Sequence, residues 1–200
     1  MRYKHIIETG SDIPIPESYT DCFRLIQSDY YRHYGKVDSL IKMFKAMVTN
    51  MGFRYSFWMR LCAHRGALYP FTRLMQIRTS NKSGIIISST QLIGWGFYIG
   101  HGVGTISNES VIIGNNCNVG QFTTFGTNHN SGAIIGDNVY IGPSVCLVER
   151  VIIGSYSVVG AGAVVTKDVK ENTTVAGVPA AIISGKNSSR YIQNPWNENS

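Results

Sequence analysis

The stretch from Ile87 to Val165 repeats an apolar residue every six positions, and this period limits the fold more than any other feature. The repeated residues, called anchors here, are Ile87, Ile93, Ile99, Ile113, Val119, Phe125, Ile135, Ile141, Leu147, Ile153, Val159 and Val165. The spacing fits neither an amphipathic helix, with a period of about 3.6, nor an alternating strand, with a period of about 2. It fits a parallel β-helix, in which each unit of the repeat supplies one short strand and one corner. We therefore predict a mainly β solenoid with triangular coils and inward-facing anchors.

The repeat is interrupted twice, and each interruption lies beside a histidine. Counting from Ile99 places Thr105 in the next anchor slot, with two extra residues before Ile113. Four extra residues separate Phe125 from Ile135, which predicts a loop over residues 127–132. Because insertions in a solenoid are placed at its corners and often line the binding surface, His101 and His129 are candidate functional residues.

The residues before the repeat have helical spacing. We predict an extended arm over residues 1–16, four helices between residues 18 and 77, and a polar connection over residues 79–84. Either Ser18 or Thr20 with Asp21 is a candidate N-cap of the first helix, and Gly35 ends that helix. The predicted organisation is a helical region over residues 1–80, a β-helix over residues 81–186, and a tail over residues 187–200, of which residues 188–200 are polar and expected to fray.

Charge and composition limit the kinds of partner and the cellular location that we expect for this chain. The net charge of +6 lies in residues 1–80, which hold twelve Lys or Arg and six Asp or Glu, while the β-helix is neutral. The dense basic clusters of a nucleic-acid reader are missing, so we expect no nucleic-acid partner. The four cysteines have no metal-ligand spacing, and no apolar run approaches the ~18 residues that span a bilayer. We expect a cytoplasmic protein without a metal, with the inner face of the membrane as the alternative location.

The third and fourth predicted helices are rich in aromatic and basic residues, including Phe53, Tyr55, Arg60, Phe71 and Arg73. One interpretation is peripheral contact with an acidic or lipid surface. The other is a cap that packs on the end of the solenoid or at a subunit interface, which we favour because solenoids need covered ends.

Two segments carry a resemblance to a known family. The segment from Ile99 to Ser110, with the pattern His-x-x-Gly-x-x-x-x-Glu-Ser, and the segment Ala176-Gly-Val-Pro-Ala180 resemble hexapeptide-repeat acetyltransferases. The resemblance is to serine acetyltransferases and to relatives that O-acetylate bacterial surface polysaccharides. It implies a left-handed parallel β-helix with an N-terminal α-helical cap, a homotrimer, and acetyl-CoA bound between neighbouring prisms. A dimer of trimers through the cap is an open alternative.

The resemblance also implies roles for individual residues. His101 would be the general base that takes the proton of an attacking hydroxyl, with Glu109 on the same corner system. His129, with Thr127 and Asn128, would hold the acceptor. The residues implied for acetyl-CoA are Gly142, Pro143, Ala161 and Gly162 along its length, and Lys167 and Lys186 at its phosphates.

Three departures bear on the acceptor. Serine acetyltransferases have an aspartate where this chain has Gly100, a second aspartate where it has Ile86, and an arginine that residues 127–132 lack. A zwitterion without groups for its two charges would bind poorly. We therefore expect the acceptor to be a sugar hydroxyl of a bacterial surface polysaccharide. The alternatives are serine O-acetylation in cysteine biosynthesis and a non-catalytic hexapeptide-repeat scaffold.

Overall fold

A computed structural model describes residues 1–129 and 131–197 of the chain. Four helices precede the solenoid: α1 (Tyr19–Tyr34), α2 (Leu40–Thr49), α3 (Met51–Cys62) and α4 (Tyr69–Ser83). The strands are β1 (Arg2–Ile6), β2 (Ser11–Ile15), β3 (Tyr98–Ile99), β4 (Ile106–Ser107), β5 (Ile112–Ile113), β6 (Asn118–Val119), β7 (Thr124–Gly126), β8 (Ile134–Ile135), β9 (Tyr140–Ile141), β10 (Cys146–Val148), β11 (Ile152–Ile153), β12 (Val158–Val159), β13 (Val164–Val165), β14 (Thr174–Ala176) and β15 (Ala181–Ser184).

The short strands stack into three parallel sheets that form the sides of a triangular prism. Face 1 consists of β4, β7, β10 and β13, and face 2 consists of β5, β8 and β11. Face 3 consists of β3, β6, β9, β12 and β14, and β15 adds to its end in the antiparallel direction. The chain visits the faces in a fixed rotation, so neighbours within a face come from successive coils. The predicted left-handed parallel β-helix with an N-terminal helical cap is confirmed.

The anchors form the interior of the prism. All twelve are buried, and they stack in columns, as Ile113, Ile135 and Ile153 do on face 2. Each fully buried aliphatic side chain of this size stabilises the fold by about 1.5–3 kcal/mol. Cys117 fills an inward position between two anchors, where its thiol donates to the carbonyl of Gly136 at 3.1 Å. Burial raises the pKa of this thiol to about 12, so it stays protonated as a small core side chain.

The first interruption lies earlier than the sequence count placed it. Ser107 pairs with the anchor Phe125, so Ser107 holds the anchor position, and Thr105 lies beside Thr123, two residues before the anchor. The inserted residues are therefore His101 and Gly102, both with φ of 58°. Counting by six selected Thr105 because a polar anchor such as Ser107 has no apolar signature.

Residues 1–16 were predicted to form an extended arm and instead form a hairpin. Strands β1 and β2 pair antiparallel, and Ile6 and Ile13 pack against the outward side chain of Ile134 on face 2. The prediction was wrong because the hairpin is stabilised by an outward apolar row on face 2, formed by Leu92, Ile112 and Ile134, which is distant in sequence. The hairpin removes this row from solvent.

The four helices occur where the periodicity predicted them, with one extension. Ser18 accepts a hydrogen bond from the backbone of Asp21, and Gly35 ends α1 in the left-handed conformation. Helix α4 continues to Ser83 through most of the predicted polar connection. The buried side chains of Thr79 and Ser83 make this possible, because each donates to a carbonyl one turn earlier.

The helical cap is bound to the first coil by buried polar contacts. The Tyr55 hydroxyl accepts from the backbone N–H of Ile87 at 2.8 Å and donates to its carbonyl at 2.9 Å. Arg60 pairs with Asp29 through two 3.0 Å contacts and also donates to the carbonyls of Ile93 and Gly94. Because Phe53, Tyr55 and Arg60 are buried, the packing interpretation holds for these residues. Within residues 1–129 and 131–197, no helix is long and apolar enough to cross a bilayer.

The segment after β15 packs against face 3 rather than fraying. Tyr191 stacks on Tyr140 with ring centroids 4.3 Å apart, and the Asn118 side chain donates to the Tyr191 carbonyl. The backbone N–H of Trp196 donates to Asn116. The prediction of a frayed tail was therefore wrong for residues 188–197, and residues 198–200 lie outside the described part of the chain. The polar composition of this segment did not predict these contacts, because it binds the outward side chains of Asn116 and Asn118 on the solenoid rather than an apolar core.

We expect Arg60→Met to lower the free energy of unfolding by about 3–5 kcal/mol, because it leaves the Asp29 carboxylate buried without its cation. The matched control is Arg150→Met, which removes an exposed pair with Glu8 and should cost less than about 1 kcal/mol. Urea denaturation of both variants checks this. Equal losses in the two variants would show that the Arg60–Asp29 pair does not anchor the cap.

Candidate active site

A cleft of about 330 Å³ lies over face 3 beside the His101 insertion. Helix α1 forms one wall and the C-terminal segment forms the other. The residues that line this cleft include Arg32, His33, Tyr98, His101, Asn118, Gln121, Tyr140, Pro143, Tyr191 and Gln193. Helix α1, the solenoid and the C-terminal segment, which are far apart in sequence, thus meet beside His101.

His101 is exposed at the corner between face 3 and face 1, called corner A here. It borders the main cleft and a second cleft lined by Thr49, Asn50 and Met51. Within the described residues its imidazole makes no hydrogen bond, and Gly100 beside it offers no side chain. Both ring nitrogens are therefore free to meet a bound molecule.

The start of α3 fixes the backbone of corner A. A Cβ on Gly52 would overlap the carbonyl oxygen of Ile99, and a Cβ on Gly102 would overlap the backbone nitrogen of Gly52. Gly102 also has a positive φ, a conformation that favours glycine. The helical cap and the insertion touch backbone to backbone, so the cap sets the position of His101.

Arg32 brings a buried positive charge to the cleft that the sequence did not reveal. Its guanidinium donates to the carbonyls of Gln193 and Gly96 at 2.9 and 2.7 Å, and to the Asn118 side-chain oxygen at 2.6 Å. Burial lowers the pKa of Arg32 to about 10, which still leaves it charged at neutral pH. All three acceptors are neutral, so the charge has no carboxylate partner in direct contact within the described residues.

His33 is a second histidine at the cleft, on the turn of α1 that also carries Arg32. Its ring packs on Tyr98 with centroids 4.3 Å apart, and the Asn50 amide lies 3.3 Å from Nδ1. Burial, with a contribution from the Arg32 charge, lowers the pKa of His33 to about 4, so the ring is neutral at neutral pH. If the amide donates to Nδ1, the proton is on Nε2, which has no partner among the described residues. An Arg-His pair at a helix end was the only sequence signal, and it equally suits a helix C-terminus.

His129 lies at another corner, between face 1 and face 2, called corner B here. Its Nδ1 is 3.0 Å from a carboxylate oxygen of Glu149, which also accepts from the Thr127 hydroxyl at 2.8 Å. The backbone N–H of Asn128 donates to the other oxygen at 3.3 Å. These contacts, His129 first, lower the pKa of Glu149 to about 2. Glu149 therefore organises the described part of this loop, a role hidden in the sequence because it lies one coil later.

The structure brings together only part of the site predicted from sequence. Pro143 shares the main cleft with His101, and Gly142, Ala161 and Gly162 continue along corner A in the next coils. Glu109 instead lines a cleft with Arg73 and Ser107 at corner B. Lys167 also lies at corner B. Lys186 follows β15, where its carbonyl accepts from Thr174 on face 3. Within one chain, face 1 separates the corner A group from His129, Glu109 and Lys167.

The chain matches known proteins in sequence. Residues 132–167 match the family described as bacterial transferase hexapeptide (six repeats). Serine acetyltransferase of Bacillus subtilis is 29% identical over 168 residues, covering 80% of this chain and 77% of the relative. Serine acetyltransferase of Bacillus pumilus is 27% identical over 179 residues, covering 85% and 82%.

Solved structures agree with the sequence matches. Serine acetyltransferase of Neisseria gonorrhoeae superposes with a TM-score of 0.70 at 25% identity, covering 84% of this chain and 69% of that one. Serine acetyltransferase of Brucella abortus in complex with coenzyme A superposes with a TM-score of 0.65 at 26% identity, covering 82% and 67%. The chain therefore carries a hexapeptide repeat folded as a β-helix and is similar to serine acetyltransferases in both sequence and fold.

Proposed function

We propose that the chain transfers the acetyl group of acetyl-CoA to the hydroxyl of a small acceptor, with His101 as the general base. The observation that carries this proposal is the position of His101, which is exposed on a two-residue insertion at the edge of a cleft. The similarity to serine acetyltransferases, including one in complex with coenzyme A, supports the donor and the reaction class.

The chemistry needs a base because an alcohol is a poor nucleophile at neutral pH. The imidazole of His101 takes the hydroxyl proton as the oxygen attacks the thioester carbonyl. When the tetrahedral intermediate collapses, the C–S bond breaks and the same imidazole returns the proton to sulfur. The acceptor leaves as an ester and coenzyme A leaves as a thiol.

Corner A suits the extended arm of acetyl-CoA. Ala161 and Gly162 are exposed there. Apart from the two flanking residues, no atom in the described part of the chain lies within 4 Å of the position that a Cβ on Gly162 would occupy. Gly142 packs beneath Ala161, and Pro143 borders the cleft. Small residues in this column leave room for a flat chain alongside the coils, and a donor bound there would have its thioester end near His101.

A homotrimer through face 1 would complete this site. The hairpin covers face 2 and α1 with the C-terminal segment covers face 3, whereas Ile86, Ile106 and Val148 are exposed on face 1. Docking around a threefold axis at face 1 would bring corner B of one subunit towards corner A of the next. His129 and Lys167 would then face the acceptor and the donor at His101 of the neighbour.

The acceptor that the similarity favours is L-serine, rather than the polysaccharide hydroxyl expected from Gly100 and Ile86. Arg32 is a candidate partner for the acceptor carboxylate, because its charge is buried at the cleft without an acid. A neutral sugar is the second candidate because, among the described residues, no carboxylate side chain lines the cleft to bind the serine ammonium group, and Tyr98 and Tyr140 offer aromatic surfaces.

We expect purified protein to release coenzyme A from acetyl-CoA when L-serine is added. A thiol-detection assay with L-serine beside nucleotide-sugars and polysaccharide repeat units measures this. Turnover with a sugar and none with serine would assign the second candidate. An absence of turnover with every acceptor would favour the non-catalytic scaffold.

We expect His101→Ala to lower kcat by about 10²–10⁴-fold, the usual contribution of a positioned general base. Acetyl-CoA binding, measured by calorimetry, should persist. His5→Ala is the matched control, since that histidine lies on the exposed hairpin and pairs with Asp12. Full activity in His101→Ala would remove the base assignment.

Gly102→Ala should lower kcat at least tenfold while the KM for acetyl-CoA changes little, because the added methyl group collides with the start of α3 and displaces His101. Gly10→Ala is the control, since Gly10 also has a positive φ, meets no atom of the described residues, and lies on the hairpin away from corner A. Steady-state kinetics of both variants, with melting temperatures to correct for stability, decide the result. Equal kcat losses would show backbone strain alone to be the cause.

A further inference from the structure

Helices α2, α3 and α4 together expose a continuous apolar surface. On α2, the side chains of Leu40, Ile41 and Phe44 are 64%, 82% and 61% exposed, and on α4 Phe71 is 57% exposed. Half-buried Phe57 and Trp58 on α3 join the two, since Phe57 lines a shallow apolar groove with Phe44 and the Trp58 ring contacts Phe71 at 5.8 Å. Exposed apolar surface of this extent marks an interaction site.

The same helices carry a charge of one sign. Residues 36–82 contain nine Lys or Arg and one acidic residue, Asp38. Asp38 already pairs with Lys42 at 2.8 Å and lies 3.6 Å from Lys36. Arg60 is neutralised internally by Asp29. Lys45, Arg65, Arg78 and Lys82 are exposed on the same segment and have no carboxylate partner among residues 1–129 and 131–197.

We propose that this α2–α4 surface docks on the anionic surface of a lipid bilayer. Apolar side chains would enter the headgroup boundary while the surrounding cations meet lipid phosphates. A second copy of the chain fits less well, because a twofold contact through this surface would bring two regions of the same positive sign together. The surface is separate from the cleft at His101, so docking would hold the enzyme at a membrane without occupying the site.

Sedimentation of the full chain with phospholipid vesicles tests the proposal. We expect binding to vesicles of phosphatidylcholine mixed with phosphatidylglycerol, weaker binding to phosphatidylcholine alone, and loss of the difference at high salt. Ile41→Ser/Phe44→Ser and Lys42→Glu/Lys45→Glu should each weaken binding to the anionic vesicles at least about tenfold. Acetyl transfer to a soluble acceptor should be unchanged in both.

Matched controls lie elsewhere on the chain. Ile182→Ser/Ile183→Ser removes two other exposed apolar side chains, from β15, and Lys4→Glu/Lys170→Glu reverses two exposed charges on the hairpin and the solenoid. Both controls should bind vesicles like the unmodified chain. Equal loss in the controls, or no preference for anionic vesicles at low salt, would overturn the proposal.

Sedimentation velocity without lipid tests the other possible occupant of this surface, a second copy of the chain. If the α2 variants reduce the size of the assembly while the unmodified chain ignores vesicles, the surface is an interface between copies and the bilayer proposal fails. If assembly size is the same in all variants and only vesicle binding falls, the proposal stands.

Discussion

The inward stacking of one side chain every six residues is the constraint on which the rest of the molecule depends. Each anchor packs on the anchors of the coils above and below it, as Ile113, Ile135 and Ile153 do, so a coil cannot change length along its faces without moving an apolar side chain to the outside. Extra residues fit only at corners. Both histidines of the solenoid occur at such corners because the interior tolerates no insertion.

The helical cap acts as a support for one of those corners. The buried ion pair of Arg60 and Asp29 joins α3 to α1 and both helices to the first coil. Removing either partner would leave the other charge buried and unpaired, which destabilises the fold. With that support in place, the first turn of α3 lies against Ile99 and Gly102 and sets the backbone that carries His101. The stability of the cap and the geometry of the site are therefore linked, although the cap contributes no inward anchor of the repeat.

The covering of the prism explains where partners can approach. The hairpin occupies face 2, and α1 with the C-terminal segment occupies face 3 and walls the cleft. Face 1 keeps its apolar side chains exposed between the two corners that carry His101 and His129. The α2–α4 surface is a separate apolar region whose surrounding charge is positive. One surface thus suits copies of the same chain and the other suits an anionic partner.

The sequence alone determined the solenoid, its anchors, the cap and the candidate base. A six-residue period and helical spacing are local patterns, so they can be read from one sequence without a structure. It misplaced one anchor by two residues, at Thr105 instead of Ser107, because Ser107 is polar, and it missed Arg32, His33 and Glu149. Those residues acquire roles only through contacts across 17 to 161 residues, such as Arg32 with Gln193 and His33 with Asn50. Only the tertiary structure decided that α1 and the C-terminal segment form the cleft, since burial and desolvation depend on which distant surfaces pack together.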